Sequence, residues 1–261
     1  MSVFDSSYAA AYDLLYRDKD YSGEAKFVSD LARKHLPEAK TLLDLGSGTG
    51  RHDVEFAALG YDVTGVERSE EMLAKARESA AGAVRFALGD IRTVRLGHQF
   101  DVVTSLFHVV SYQTSNSDVR QAMETARAHT KPGGIFIFDF WYGPAVLAEQ
   151  PATRIKRLED ERVSLTRLAE PVLCTGENLV EVHYEMFVQE KGSAEVKRFR
   201  ERHDMRYFSL PEIQWIAEEG GWKLEETGEW MTSAEPSEKT WGVYVVLCKA
   251  AGAAKAEKLK C

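Results

Sequence analysis

Short, continuous apolar runs at Leu42 to Leu45, Tyr61 to Val66, Val84 to Leu88, Phe100 to Leu106 and Ile135 to Phe140 alternate with stretches whose apolar residues recur at three-to-four spacing. The runs predict buried strands and the stretches between them predict helices. Gly23 to His35 closes at Leu36-Pro37; Val54, Phe56, Ala57 and Leu59 give a helix stopped by Gly60; Met72, Leu73 and Ala76 face inward behind a Ser69 cap; Ser117 to Ala128 is helical as well. Strands that alternate with helices form a parallel sheet with right-handed crossovers. The turn Lys131-Pro132-Gly133-Gly134 separates the last of these helices from Ile135.

After Pro151 the rhythm changes. Arg154 to Leu158, Val163 to Leu173, Leu179 to Gln189 and Val196 to Tyr207 alternate polar and apolar residues, with Gly176 and Gly192 as turn signals, so an antiparallel patch interrupts the alternation. Helical spacing returns from Leu210 through Glu219, and Trp222 to Thr227 and Trp241 to Leu247 form a closing pair of strands. The implied organisation is an N-terminal helical cover segment over 1–37, an α/β core over 38–151 and 208–249, an inserted antiparallel patch over 152–207 and a flexible Ala/Lys-rich tail over 250–261. The patch serves as a lid or as a dimer surface. In the cover segment Tyr8, Ala11, Tyr12, Leu15 and Tyr16 make an aromatic face that packs on the core or, with Tyr21, covers a ligand.

Lys plus Arg of 33 against Asp plus Glu of 41 leaves a net charge of −8, which argues against a sequence-independent grip on nucleic acid and for a small-molecule partner. Cys174, Cys248 and Cys261 form no C-x-x-C pair, so neither a disulfide framework nor a zinc cluster is expected, and no metal is assigned. No apolar run approaches the roughly 18 residues of a membrane helix, and the first residues lack the order of a signal peptide; a cytoplasmic setting is expected.

The chemistry concentrates at Leu42 to Gly50, where an apolar strand and Asp44 run into Gly46, Ser47, Gly48, Thr49 and Gly50 and a helix follows at once. A glycine turn there lets a ligand touch bare backbone at the carboxyl end of the sheet. No Lys follows Gly50, which removes a P-loop, and Arg51 stands where a dinucleotide site has its third glycine. Glu67 ends the second strand about 20 residues on, where nucleoside-binding sheets place an acid for the ribose hydroxyls. A nicotinamide oxidoreductase remains the alternative at this point.

Asp44-Leu45-Gly46-Ser47-Gly48-Thr49-Gly50, Glu67, Gly89-Asp90 and the Pro132-Gly133-Gly134 turn, in that order, resemble the motifs of class I S-adenosylmethionine-dependent methyltransferases. The resemblance implies a Rossmann-like, mostly parallel sheet of seven strands with helices on both faces, interrupted here by the antiparallel patch. It also implies S-adenosylmethionine as cofactor and S-adenosylhomocysteine as product. Asp44 would face the ammonium, Gly46, Ser47 and Gly48 the methionine part, Glu67 the ribose and Asp90 the adenine amino group. By the family's pattern Arg68, Met72, Ile91, Leu106 and Phe107 flank the adenine or the methionine chain, and Tyr16 and Tyr21 cover it.

Neither an N-P-P-Y-like tetrapeptide nor a Pro-Cys nucleophile follows the fourth strand, which favours a small acceptor. Tyr12-Asp13-Leu14-Leu15-Tyr16, Lys19-Asp20-Tyr21, Val182-His183-Tyr184 and Glu201-Arg202-His203 are similar to segments of methyltransferases that act on nucleotide-linked sugars, notably aminosugar N-methyltransferases. That likeness implies a deoxyaminosugar nitrogen as first choice of acceptor and a sugar hydroxyl, or another small metabolite, as second. Phe140-Trp141-Tyr142-Gly143-Pro144 departs from the family's acidic-Pro-Trp turn, and Tyr112 stands where His is frequent. Tyr112 and His108, just past the fourth strand, are the expected proton-handling groups; His183 and His203 come next and, with Tyr12, Trp141 and Tyr142, are expected to line the acceptor side. His35, His52, His98 and His129 receive no role. A homodimer is compatible with this reading.

Overall fold

The computed structural model describes residues 14–161 and 163–250; Tyr8, Ala11 and Tyr12 of the cover segment, and Cys261 in the tail, lie outside the described residues. Five strands build the parallel part: β1 (Thr41–Leu45), β2 (Asp62–Glu67), β3 (Arg85–Leu88), β4 (Phe100–Ser105) and β5 (Thr130–Tyr142). The helices between and before them are α1 (Tyr21–His35), α2 (Arg51–Ala58), α3 (Glu70–Ala80) and α4 (Asn116–His129). β1 pairs in parallel with both β2 and β4, so the chain runs outward through β2 and β3 and then returns to the other side of β1. Such a reversal opens a crevice beyond the carboxyl ends of β1 and β4, where a ligand can enter. β10 (Trp222–Glu229) and β11 (Gly242–Lys249) close the sheet as an antiparallel pair beside β5, preceded by α6 (Leu210–Glu219). The mostly parallel core is as expected, but the strand count differs from the seven expected: the insertion joins the same sheet through β5, so eleven strands form one sheet among the described residues.

The strand period of two sorts the apolar side chains cleanly. Leu43, Leu45, Val103, Phe136, Phe138, Val243 and Val245 pack on one face with Val119, Met123 and Ala126 of α4 and Ile213 and Ala217 of α6. Their neighbours Leu42, Val63, Val102, Ile135, Ile137, Tyr244 and Val246 pack on the other face with Val28 and Leu31 of α1 and Phe56 of α2. Helix entrances follow the sequence signals: Ser69 accepts from the Met72 N–H, Ser115 from Asp118 and Ser209 from Glu212. α1 starts two residues earlier than Gly23 because Asp20 accepts from the Gly23 N–H. The Lys131-to-Gly134 turn is absorbed into β5 as a bulge, since Thr130 faces Phe100 while Ile135 faces Val102.

β5 leads into the short α5 (Gly143–Glu149) and then into β6 (Arg154–Glu159), β7 (Val163–Cys174), β8 (Leu179–Glu190) and β9 (Val196–Phe208), an antiparallel meander. β4 stops beside Phe138, and Tyr207 and Phe208 of β9 then run parallel to Trp141 and Tyr142. With β11 on the opposite edge of β5, the end of β9 fills the slot that β4 vacates. One face of the meander carries Leu165, Met186, Tyr184, Phe199, His203 and Met205 and turns toward the core. The other carries exposed ion pairs such as Arg202–Glu181 and Arg198–Glu185, which contribute little each.

Phe138 is 1% exposed and sits in the middle of β5 against Phe136 and Phe140. Phe138→Ala is expected to cost about 3–5 kcal/mol of stability, read as a fall in the urea unfolding midpoint at unchanged slope.

Candidate active site

The turn between β1 and α2 holds three left-handed glycines, Gly46, Gly48 and Gly50, and the surroundings of the first two differ. At Gly46 (φ +101°) an added Cβ would meet Val109 Cγ1 at 2.7 Å, whereas at Gly48 (φ +57°) it would meet nothing within 4 Å. Gly46 is a close backbone approach; Gly48 is an open cradle. Glu67, at the end of β2, fixes the cradle: its Oε2 accepts from the Gly48 N–H at 3.0 Å and its Oε1 from the Arg68 and Ser69 N–H groups at 2.9 and 2.8 Å. Beneath the turn lie Asp44, whose Oδ1 accepts from the Thr104 hydroxyl at 2.7 Å, and the fully buried Asp53. Burial pushes both carboxyls up, and for Asp53 the neighbouring Asp44 adds to it. Asp90 is held below the usual carboxylate range by the Arg92 guanidinium, which grips both its oxygens at 2.9 and 2.6 Å.

On the far side β4 ends at Ser105 and is followed by Leu106, after which Phe107 (φ +64°) and His108 (φ +63°) both adopt the left-handed conformation that side chains rarely take. Asp139, 1% exposed on β5, stabilises the kink by accepting from the His108 N–H. Its Oδ2 also lies 2.7 Å from the His108 ring Nδ1, off the line of a well-formed hydrogen bond. A single 3-10 turn, Val109–Tyr112, then places the Tyr112 hydroxyl 2.7 Å from His203 Nδ1 of β9. Burial raises the Tyr112 phenol well above its ordinary value and, reinforced by Arg167, pushes the His203 imidazole down to about 4.

These groups enclose a cavity of about 360 Å³. Of the residues expected from sequence, Tyr16, Tyr21, Gly46, Ser47, Gly48, Glu67, Arg68, Met72, Asp90, Ile91, Leu106, His108, Tyr112, Trp141 and His203 lie on its wall. Asp44 does not; its carboxyl is turned beneath the glycine turn toward β4. Tyr142 does not either, because alternation along β5 sends it into the core on the opposite side from Trp141. His183 is separated from His203 by the same rule: in the β8–β9 register it faces Arg202, on the outer face, and pairs with Glu181. Tyr12 lies outside the described residues.

The comparisons with known proteins agree with this geometry. Residues 42–134 match the family described as methyltransferase domain. The chain is 32% identical over 225 residues to the dTDP-3-amino-3,4,6-trideoxy-alpha-D-glucopyranose N,N-dimethyltransferase of Streptomyces venezuelae, covering 85% of this chain and 93% of that protein. It is 35% identical over 177 residues to the dTDP-4-amino-2,3,4,6-tetradeoxy-D-glucose N,N-dimethyltransferase of Saccharopolyspora spinosa, covering 66% and 69%. Among solved structures, S-adenosylmethionine-bound CalS10, an amino pentose methyltransferase from Micromonospora echinaspora, superposes with a TM-score of 0.75 at 27% identity over 96% of this chain and 99% of that one. The chain belongs to the S-adenosylmethionine-dependent methyltransferases.

The methyltransferase's own lining suits its cofactor. The open cradle at Gly48 accepts an extended ligand chain without steric conflict. The Glu67 carboxylate at that turn supplies a potential that favours a cationic ligand. A carboxylate accepts at about four sites, and three at Glu67 are taken by backbone, which leaves one for a ribose hydroxyl. Among the described residues no cluster of His, Cys, Asp or Glu is arranged to hold a metal ion, and no helix is long and apolar enough to cross a membrane.

Sequence reasoning did not single out the wall residues His52, Gln113, Tyr184 and Met205. His52 sits in the first turn of α2 with Nε2 2.7 Å from Glu24 Oε2. Tyr184 and Met205 belong to the inner face of the insertion, which alternation with His203 would have indicated once the register was fixed.

Glu67→Gln is expected to weaken S-adenosylhomocysteine binding by about 1–3 kcal/mol, or roughly 5- to 150-fold by calorimetric titration. The depressed His203 imidazole carries a stability signature. Between about pH 6.5 and 4 the unfolded chain binds a proton there and the folded chain does not, so this contribution is complete above about 6.5 and lost toward 4. From pH 7 to 5 the methyltransferase should lose about 2 kcal/mol more stability than its His203→Gln variant, measured by urea unfolding at the two pH values.

Proposed function

We propose that the protein transfers a methyl group from S-adenosylmethionine to the amino nitrogen of a nucleotide-linked deoxyaminosugar. The observation that carries this reading is a single cavity with a glycine-and-carboxylate end and, opposite it, a polar end of His108, Tyr112 and His203. Gly46, Ser47, Gly48, Glu67, Arg68, Met72, Asp90, Ile91 and Leu106 hold the cofactor, with Tyr16 and Tyr21 over it. S-adenosylmethionine, when bound, supplies an electrophilic methyl group. His108, steadied by Asp139, and Tyr112 meet the acceptor above Trp141. The relatives named as aminosugar N,N-dimethyltransferases support nitrogen as the acceptor atom.

Alignment of the two reactants can lower the barrier by about 7–11 kcal/mol, against roughly 3–5 kcal/mol for a general base. The fixed walls therefore matter more than any one proton acceptor. The His108–Asp139 pair nevertheless favours a second reading, a sugar hydroxyl as acceptor, because a hydroxyl must lose its proton during transfer whereas an amine needs only to be neutral.

The insertion over 152–207 acts as a lid in this reading, since its inner face contributes Tyr184, His203 and Met205 to the wall. The described part of the cover segment closes the cofactor side through Tyr16 and Tyr21. The net charge of −8 supports a partner other than nucleic acid, and unpaired Cys174 and Cys248 support a cytoplasmic setting.

Mass spectrometry of nucleotide-linked amino sugars and their hydroxyl counterparts, incubated with protein and S-adenosylmethionine, tests the proposal. The amino sugars are expected to gain one or two methyl masses. Gain by the hydroxyl compounds alone would transfer the assignment to oxygen, and gain by neither would remove the sugar.

A further inference from the structure

Between the insertion and the glycine turn the N-terminal segment borders the cavity, and it is tied down on both sides. On the insertion side Lys156 of β6 donates to the Leu15 carbonyl at 2.7 Å, and Leu14 and Leu15 pack with Met72, Leu165 and Met186. On the glycine-turn side stand Glu24 in the first turn of α1 and His52 in the first turn of α2. One oxygen of Glu24, Oε2, meets both the Lys19 ammonium and His52 Nε2, the latter at 2.7 Å. The side chains of Glu24, Lys19 and His52 are 14%, 12% and 8% exposed, so this is not one of the solvated pairs that contribute little. Burial alone would raise the Glu24 carboxyl, but the hydrogen bond from His52 and the Lys19 ammonium outweigh it and bring it down to about 2, so it is ionised at neutral pH.

Each partner of Glu24 is in turn set against the aromatic rings of the cavity wall. The Lys19 ammonium lies 4.5 Å from the centre of the Phe107 ring and 5.1 Å from that of Tyr21. The His52 ring packs edge-on against Tyr21 with centroids 4.8 Å apart, and Tyr16 packs edge-on against Phe107 at 5.2 Å. Removing the carboxylate leaves the Lys19 charge buried without its counter-ion, so Lys19 is driven toward water and takes the turn between Tyr16 and Tyr21 with it. The other end of α1 carries the same chemistry without the cavity: Glu226 of β10 bonds Lys34 and His35 through one oxygen, each at 2.7 Å.

We propose that Glu24 is a positioning residue for the cofactor: by holding Lys19 and His52 on one carboxylate, it keeps Tyr16 and Tyr21 over the glycine-turn end of the cavity and slows cofactor release. The inference rests on the placement of S-adenosylmethionine at that end, given above.

Release of tritium-labelled S-adenosylmethionine, chased with excess unlabelled S-adenosylhomocysteine and no acceptor present, reads this without turnover. Glu24→Leu is expected to speed release by about tenfold, the scale of one lost charge-assisted hydrogen bond. Glu24→Gln, whose amide oxygen still accepts from both partners, should stay within about threefold of the wild type. Glu226→Leu, which removes the matching contacts at the far end of α1, should leave the rate unchanged within about twofold, because its loss loosens the helix without reaching the rings. An unaltered rate in Glu24→Leu, or equal acceleration in the two leucine variants, overturns the proposal. Should Glu24→Leu not fold, Lys19→Met decides: faster release is expected, and an unaltered rate overturns it. If Glu67→Gln leaves S-adenosylhomocysteine affinity unchanged, the placement of the cofactor fails and the proposal with it; if Glu67→Gln weakens binding while Glu24→Leu leaves release unchanged, the role of Glu24 alone falls.

Discussion

Three backbone N–H groups converge on the Glu67 carboxylate, and the glycine-turn end of the cavity depends on that convergence. Gly48 belongs to the turn after β1, and Arg68 and Ser69 to the entrance of α3, so one side chain joins two βα units at their carboxyl ends. Charge-assisted bonds of this kind strengthen where water is excluded. They hold the glycine turn in its binding shape before a ligand arrives, and they set where α3 begins, which in turn points Met72 at the cavity. The acids buried behind the turn have no such donors: neither oxygen of Asp53 has a hydrogen-bond partner among the described residues, and its carboxyl is pushed toward the neutral form. Buried charge is thus tolerated where backbone donors meet it and suppressed where they do not.

The opposite end of the cavity is held by compensation of a different kind. Two consecutive non-glycine residues with positive φ cost about 1–3 kcal/mol each. Asp139 offsets this by accepting the His108 N–H, and the Phe107 ring is gripped edge-on by Tyr16 at 5.2 Å and capped by the Lys19 ammonium at 4.5 Å from its centroid. The kink is what turns the chain away from β5 after Ser105. It carries Phe107 and His108 to the cavity wall and at the same time leaves the edge of β5 to β9.

The core was legible because its signals are local. Runs such as Phe100 to Leu106, caps such as Ser69 and the spacing from the glycine turn to Glu67 and Asp90 all act within a few residues or one βα unit. What misled was alternation whose phase is set elsewhere. His183 and His203 look equivalent in sequence, yet the β8–β9 register sends one to solvent and one to the cavity. Trp141 and Tyr142 divide in the same way at the end of β5. Asp44 ends its strand facing β4 because the Thr104 hydroxyl is its nearest donor, a partner 60 residues away. Tyr184 and Met205 were missed because only tertiary pairing brings the insertion over the crevice.

The short parallel pairing of Tyr207 and Phe208 with Trp141 and Tyr142 has a consequence for how the chain assembles. Those partners are separated in sequence by the whole of β6, β7 and β8, and long-range pairing of this kind slows folding. Until it forms, the end of β5 is an open strand edge carrying aromatic side chains, the sort of surface that recruits another chain. During synthesis that exposure lasts until Phe208 has emerged. The crevice and the hazard therefore share one origin: the place where β4 turns aside is at once where the polar end of the cavity opens and where the nascent sheet is least protected.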